Sequence, residues 1–494
     1  MSLLPPSLDP TDLDAIRMRL GDAVASRRPI GLRTVDLGPD AIEALPRRVG
    51  EARGERVGDI VVLTDATPMT RGSSDLKADA VARLRTAPPG PAETAVRHVV
   101  LGGGRPELHA DEVALAEADR AVTGAAVAVS IGSGTVTDIT KDASHRAGIP
   151  FVAVQTAVSV NAFSDDMAVL LRNGVKRTVP SGWPDALIVD LAVIADAPAA
   201  MNQAGFGELM AMFTAPADWY LAGAVGADDS YDEGVVRLYR DGADRLLDHA
   251  AGVAAVRHDA LAELAGQMTL TGIAMGVAGR TAPLSGTEHT ISHLLDMAAA
   301  VDGRGTAFHG AQVGVASVVV ALAWRRVLRD LDPARLVPGT AGGAGTARPA
   351  TSARHDRVAA AFDRLDPSGR ATAECWTDYQ RKVERWTAAN DRRQAFAASW
   401  PEHRAALGEL LLAPEALVEG LRTAGAPTRF SELDPPISPD VARWAVASCH
   451  LMRDRFTVAD LVELGGGLDT NGLGWDAAFA DDLLAEAAAL GAGL

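Results

Sequence analysis

The sequence predicts an α/β chain in two parts, with an N-terminal parallel-sheet domain over residues 1–195 and an all-α domain over residues 196–494. Three observations carry this reading. Short β-branched runs alternate with helical patterns through the first part, the texture turns Ala/Leu-rich and amphipathic from Asp196 onward, and the composition is that of a globular chain, 48% apolar and 22% charged over 494 residues. That length accommodates two or three domains, each able to bury its own core.

The strands are read at 58–65 (GDIVVLTD), 97–104 (RHVVLGGG), 125–133 (AAVAVSIGS), 148–157 (GIPFVAVQTA) and 185–191 (DALIVDL). Between them, 74–85 and 110–122 carry apolar residues every three to four positions, as an amphipathic helix does. Strand and helix alternating at this spacing predict a parallel sheet covered on both faces. In the second part, helices are expected at 208–224, 231–253, 259–275, 289–299, 311–328, 357–365, 377–398 and 441–452. The Gly/Ala/Thr/Pro-rich stretch 338–352 reads as a flexible surface loop within that part. No internal repeat is found.

The formal net charge of −17 argues against a general basic surface for nucleic acid or an anionic membrane. Cys375 and Cys449 are the only cysteines, too few for a disulfide framework or cysteine metal cluster, which favours a reducing compartment and makes cytoplasm the expectation. The N-terminal residues do not read as a signal peptide. The apolar stretch 313–324 is shorter than the roughly 20 residues of a membrane span and is read as a buried helix.

Two glycine-rich strand ends carry the first chemical signal. After the strand ending near Ile131, Gly132, Ser133, Gly134 and Thr135 lead directly into a helical pattern. Glycines there let backbone N–H groups approach a phosphate at the helix N-terminus, forming a pyrophosphate seat. Gly102, Gly103 and Gly104 follow another strand, and two such ends can flank one dinucleotide. The alternative is a pair of ordinary tight turns, since G-x-G-x-x-G is not present.

The second signal is histidine spacing. His289 and His293 are four residues apart and share a helix face, while His309 begins the apolar helix downstream. Upstream, Glu208 in G-F-G-E is read as a carboxylate at the start of a helix. Imidazoles and a carboxylate with an open position form a recurrent catalytic metal site; core or solvated histidines are the alternative. The other eight histidines show no comparable grouping.

Taken together, these motifs resemble the metal-dependent polyol dehydrogenase superfamily that includes glycerol dehydrogenase, dehydroquinate synthase and glycerol-1-phosphate dehydrogenase. The resemblance is strongest to the last, in its longer bacterial form. Ser285-Gly286-Thr287-Glu288-His289 with Ser292-His293 is similar to its S-G-x-E-H…S-H segment, and His309 to Val315 to its H-G-E-Q-V-G-V. Ala217-Asp218-Trp219 after Gly207-Glu208-Leu209 matches A-D-W after G-D-L, and Arg453-Asp454-Arg455-Phe456-Thr457 resembles R-x-R-[FY]-T.

The resemblance implies a dehydroquinate synthase-like fold, a dinucleotide-binding α/β domain followed by an all-α metal-binding domain, and a homodimer. It implies metal ligands Glu208, His289 and His309 for zinc or nickel, with iron used elsewhere in the superfamily. It places NAD or NADP across Gly102 to Gly104 and Gly132 to Thr135, with Asp138, Lys141 and Thr156 nearby. A ketone would be polarised by the metal and reduced by hydride, dihydroxyacetone phosphate giving sn-glycerol 1-phosphate. His293 is the candidate proton relay, or alternatively a support for the ligands. Lys176 and Arg177 are candidates for the substrate phosphate, or alternatively a solvated basic pair.

Three departures bear on substrate. Glu208 stands where the nearest family members carry Asp, Asn161 replaces a carboxylate that contacts substrate hydroxyls in relatives, and Ala311 replaces the Glu of H-G-E. Two rivals remain: a sugar phosphate cyclase of dehydroquinate synthase type, which the Glu at 208 favours, and an inactive member serving as a binding protein.

Overall fold

Six strands build the expected parallel sheet. In chain order the strands are β1 (Thr34–Gly38), β2 (Asp59–Thr64), β3 (Thr70–Arg71), β4 (Ser74–Asp75), β5 (Val96–Val100), β6 (Ala125–Gly132), β7 (Phe151–Gln155), β8 (Met167–Arg172), β9 (Val175–Pro180) and β10 (Ala186–Asp190). The sheet runs β1-β10-β7-β6-β2-β5 with every neighbouring pair parallel, while β3–β4 and β8–β9 are separate antiparallel hairpins. The computed structural model describes residues 8–21, 27–86, 94–103, 105, 108–172, 175–337, 351–465, 468 and 474–494, without the side chains of residues 172, 175 and 176.

The central strands are legible because they are buried on both faces. AAVAVSIG in β6, FVAVQ in β7 and ALIVD in β10 are buried at every position, as continuous apolar runs in a covered parallel sheet require. One face packs Ile60, Val62, Val127, Val129, Val152 and Ile188 against the helices Leu45–Arg53 and Leu76–Thr86. Each such side chain contributes roughly 1.5–3 kcal/mol on full burial. At the sheet edge β5 is only partly buried and ends at Val100, short of the strand read to residue 104. The chain turns there through Gly102 and Gly103, at φ +92° and +57°. β1 and the β8–β9 hairpin lie outside the strands read from sequence.

The chain forms two compact units, Met1–Phe206 with Gly234–Thr281, and Gly207–Glu233 with Ala282–Leu494. The sheet unit therefore also contains the helices from Glu233–Arg240 to His258–Ala278, which a linear cut after residue 195 would assign elsewhere.

The second unit is helical throughout its described residues apart from an isolated bridge, Arg429 to Gly493. Its core element is His309–Asp330, whose 22 residues are long and apolar enough to cross a membrane by length and composition alone. Of its apolar window, 83% is buried inside the protein, and residues 313–324 form a core helix as expected. Around it pack Thr287–Val301, Pro414–Thr423, Val458–Leu464 and Ala477–Ala489. Several expected helices are broken: 377–398 is Arg370–Ala388 plus Asn390–Ala398, and 231–253 is three short segments. The loop expected at 338–352 lies outside the described residues except for Thr351 and Ser352, which open a helix.

Within the sheet unit, Lys141 ties the helix Gly134–Ala147 to the hairpin region. Its ammonium donates to Asp165 Oδ1 at 2.5 Å and to the carbonyls of Ala162 and Met167 at 2.6 and 2.8 Å. Both charged side chains are buried, so removing one strands the other. Lys141→Met is expected to cost about 3–5 kcal/mol in urea denaturation, and Lys141→Met/Asp165→Leu to recover most of that loss.

Candidate functional site

Three helices bring Glu208, His289 and His309 together, with one ligand atom from each lying within 4.8 Å of the other two. Glu208, expected at the start of a helix, is instead next to last in Ala199–Leu209, His289 sits in the first turn of Thr287–Val301, and His309 opens His309–Asp330. The approach depends on small residues: a Cβ on Gly207 would stand 2.4 Å from the Gly310 carbonyl oxygen, and one on Gly314 would stand 2.8 Å from Gly207 Cα. Any side chain at Gly207 would push Glu208 away from His309.

Each imidazole is oriented through its Nδ1. His289 Nδ1 donates to Glu288 Oε1 at 2.9 Å. That carboxylate is held in turn by the Gly286 N–H at 2.5 Å and the Thr214 hydroxyl at 2.9 Å. For His309 the chain of donors runs the other way in sequence. Gln312 donates its amide to Asp296 at 3.0 Å, so its Oε1 accepts the Ser292 hydroxyl at 2.7 Å, and Ser292 Oγ is left to accept from His309 Nδ1 at 2.9 Å. Both rings consequently carry a hydrogen on Nδ1, which leaves Nε2 as the nitrogen that would face a metal once it is deprotonated.

Charge points the same way. Glu208 Oε1 lies 3.3 Å from His289 Nε2, and its Oε2 is buried with no hydrogen-bond partner. Burial alone would lower the His289 pKa, but Glu208 and Glu288 together raise it to about 9. Burial would raise that of Glu208, yet the charges of His289 and His309 hold it below the usual carboxylate range. An N₂O donor set with an orphaned carboxylate oxygen fits a divalent cation of the zinc, nickel or iron kind.

The remaining motifs converge on the same helix. Asp218, buried, accepts from the Thr287 N–H and hydroxyl, each at 2.8 Å, and from the Val458 N–H at 2.9 Å. Burial and the nearby Glu288 charge push its pKa up to about 7. Arg455 donates to the Ser285 carbonyl and, at 2.7 Å, to its hydroxyl. Phe456 stacks on Trp386, Thr457 caps Val458–Leu464 with Asp460, and Arg453 donates to His293 Nδ1 at 2.8 Å. The His293 ring centre is 5.4 Å from that of His309 and 6.5 Å from that of His289.

The residues expected at the cofactor and substrate divide differently. Gly132, Ser133, Gly134 and Thr135 form the turn from β6 into Gly134–Ala147, with Ser133 as N-cap and no side-chain cap bond. The helix N-terminal N–H groups are thus arranged as an anion seat requires. Gly102 and Gly103 turn at the end of β5, the Gly102 N–H donating to Glu117 at 2.7 Å, while Gly104 lies outside the described residues. Thr156 follows β7 and is buried. Lys141, expected near the cofactor, spends its three ammonium protons on Ala162, Asp165 and Met167, which leaves none for a ligand. Asp138 is likewise buried, accepts from the Val169 N–H at 3.1 Å, and is pushed up to about 7, chiefly by burial. Both residues fix the fold of the sheet unit. Asn161 is half-buried in the loop after β7, Arg177 lies on β9 opposite Leu170, and the Lys176 side chain is outside the described residues.

A cavity of about 760 Å³ opens at the carboxyl end of β2, lined by Thr64, Asp65, Met69, Lys77, Arg85 and His98 among others. Lys77 bridges Asp65 Oδ1 at 2.6 Å with the carbonyls of Asp65 and Thr67, and Thr64 Oγ1 meets His98 Nε2 at 3.0 Å.

Residues 37–198 match the family model described as iron-containing alcohol dehydrogenase. The chain is 28% identical over 340 residues to the glycerol-1-phosphate dehydrogenase (NAD(P)+) of Bacillus licheniformis, spanning 69% of this chain and 68% of that protein. It is 35% identical over 203 residues to the enzyme of that name from Geobacillus thermodenitrificans, covering 41% of this chain and half, 50%, of the relative. Among solved structures, a probable glycerol dehydrogenase from Sinorhizobium meliloti superposes with TM-score 0.56 at 18% identity, over 94% of this chain and 99% of that one. The motif resemblance and the expected two-part fold are both borne out.

The sequence singled out Glu208, His289 and His309, which the structure brings together, but gave no role to Glu288, Ser292, Gln312, Asp296, Asp218 or Arg453. All except Asp296 lie inside the quoted motifs, so the signal was membership in a motif rather than spacing. The cavity residues Thr64, Asp65 and Lys77 carried no glycine or histidine signal at all.

Metal uptake should depend steeply on pH. His289 is protonated below about pH 9 without metal, and a bound cation must displace that proton. Zinc affinity, measured by chelator competition from pH 6.5 to 8.5, is expected to rise about tenfold per pH unit, with one proton released per ion.

Proposed function

We propose that this chain is an NAD(P)H-dependent oxidoreductase that reduces a small phosphorylated ketone, with dihydroxyacetone phosphate to sn-glycerol 1-phosphate as the first assignment. The observation that carries the reading is the Glu208–His289–His309 cluster, its two imidazoles held through Nδ1 and one carboxylate oxygen unpartnered. The names of the relatives supply the substrate class.

When bound, a divalent metal supplies Lewis-acid polarisation of a carbonyl and stabilises the negative charge that develops on its oxygen. Glu208, His289 and His309 would hold it. Glu288 and Ser292 keep the two rings from rotating, and Thr214 and Gly286 keep Glu288 from following the charge of the cation. His293 is the polar side chain standing next to the ligand pair on the same helix face. In the sheet unit, the Gly132–Thr135 turn and the cavity at the carboxyl end of β2 suit a dinucleotide, following the general rule that ligands of open α/β sheets bind beyond the strand ends. Asn161, Lys176 and Arg177 remain candidates for substrate contacts from that unit. Helix His309–Asp330 being a core element, the proposal includes no membrane span.

The test is absorbance of NADH or NADPH at 340 nm with zinc- or nickel-loaded protein and dihydroxyacetone phosphate. Stoichiometric oxidation that falls to background in Glu208→Ala is the expected result. Product formation without net loss of reduced cofactor would instead identify a cyclase, and no turnover by metal-loaded, cofactor-binding protein would remove this substrate.

A further inference from the structure

Arg453 meets His293 through one hydrogen bond, Nη2 to Nδ1 at 2.8 Å. A guanidinium offers five N–H donors and no acceptor, and it does not deprotonate in proteins. The imidazole nitrogen it faces must therefore be the acceptor, so the His293 hydrogen is on Nε2. This is the opposite tautomer from His289 and His309, whose hydrogens are on Nδ1. Three neighbouring imidazoles are thus set by three different partners, a carboxylate, a hydroxyl and a guanidinium.

The guanidinium is delivered by an anchored segment. The next residue, Asp454, accepts from Arg381 at 3.3 Å and pairs with Arg385 at 3.3 Å; Arg455 is tied to Ser285, Phe456 stacks on Trp386, and Thr457 caps the following helix. With the four following residues each fixed, the direction of the Arg453 donor is fixed as well.

We propose that Arg453 is a positioning residue that locks His293 as its neutral Nε2–H tautomer, making it a hydrogen-bond donor beside the metal ligands and not a proton carrier. The tautomer follows from the geometry alone; its meaning for catalysis rests on the oxidoreductase reading above. A relay through the ring requires Nδ1 to take up a proton while Nε2 releases one, and Arg453 occupies that lone pair. His293 then donates to the substrate oxygen that gains negative charge during hydride transfer, and the proton that completes the hydroxyl comes from water.

Two measurements on the full, zinc-loaded chain test this. In ¹⁵N NMR of histidine-labelled protein, with His293→Gln used to assign the signal, His293 is expected as the pure Nε2–H form, and Arg453→Gln should shift it towards a mixture of tautomers. An Nδ1–H or doubly protonated ring, or a signal unmoved by Arg453→Gln, overturns the proposal whatever the substrate. In kinetics, the glutamine amide nitrogen can replace an Nε2–H donor but cannot carry a proton as imidazole does. His293→Gln is therefore expected to keep kcat within about tenfold of wild type, while His293→Ala loses about 100-fold or more, with zinc content unchanged in both. Equal losses in the two variants would restore His293 as a proton carrier and refute the proposal. Arg453→Lys should recover part of the kcat lost in Arg453→Gln, with little change in KM. Failure of wild type to turn over phosphorylated ketones would refute the substrate reading but leave the NMR result to decide the tautomer.

Discussion

Glu208 and Glu288 face the same imidazole from its two ring nitrogens, and both carboxylates are buried. Placing two negative charges in a dry interior is costly unless opposite charge and hydrogen bonds offset it. Much of the helical unit provides that offset. The Thr287–Val301 helix presents its N-terminal end to Glu288, adding the favourable end of its dipole, and Thr214 and Gly286 donate directly. Without metal, a protonated His289 beside two carboxylates leaves a formal charge of minus one; a divalent cation with a neutral His289 brings it to zero. The site is thus closest to electroneutral when loaded.

Around this line of charges, each motif has a mechanical purpose. The glycines at 207, 310 and 314 let two helix backbones close to near contact, which sets the distance from Glu208 to His309. Gln312, whose amide donates to Asp296 and the Ala307 carbonyl, accepts the Ser292 hydroxyl, which leaves Ser292 Oγ to accept from His309 and orients its ring. Asp218 joins the start of the histidine helix to the start of Val458–Leu464, and Arg455 joins the latter's approach to Ser285.

What the sequence disclosed follows the range over which each constraint acts. Strands β6, β7 and β10 were legible because burial on both faces demands a continuous apolar run, a local signal. β1, with TVDLG, and the separate β8–β9 hairpin lack such a run. His289 and His293 were legible through helical spacing, and Glu208 as a carboxylate upstream in G-F-G-E whose pairing with them only the family motif suggested. Glu288 meets Thr214 across 74 residues, Arg453 meets His293 across 160, and Asp218 meets Val458 across 240. No periodicity records separations of that size. Lys141, which the resemblance placed near the cofactor, is held by tertiary packing against Asp165, 24 residues away, a contact no local pattern records.

The bond from Val458 to Asp218 also sets an order of events. During synthesis Glu208, His289 and His309 emerge long before Arg453 to Asp460, so the helix bearing His289 waits without the contacts that Asp218, Ser285 and His293 make to that late segment. A nascent chain paused or truncated before residue 453 would carry Glu208, His289 and His309 and still lack those contacts. Completion of the cluster's surroundings therefore waits for a segment more than 140 residues downstream of His309.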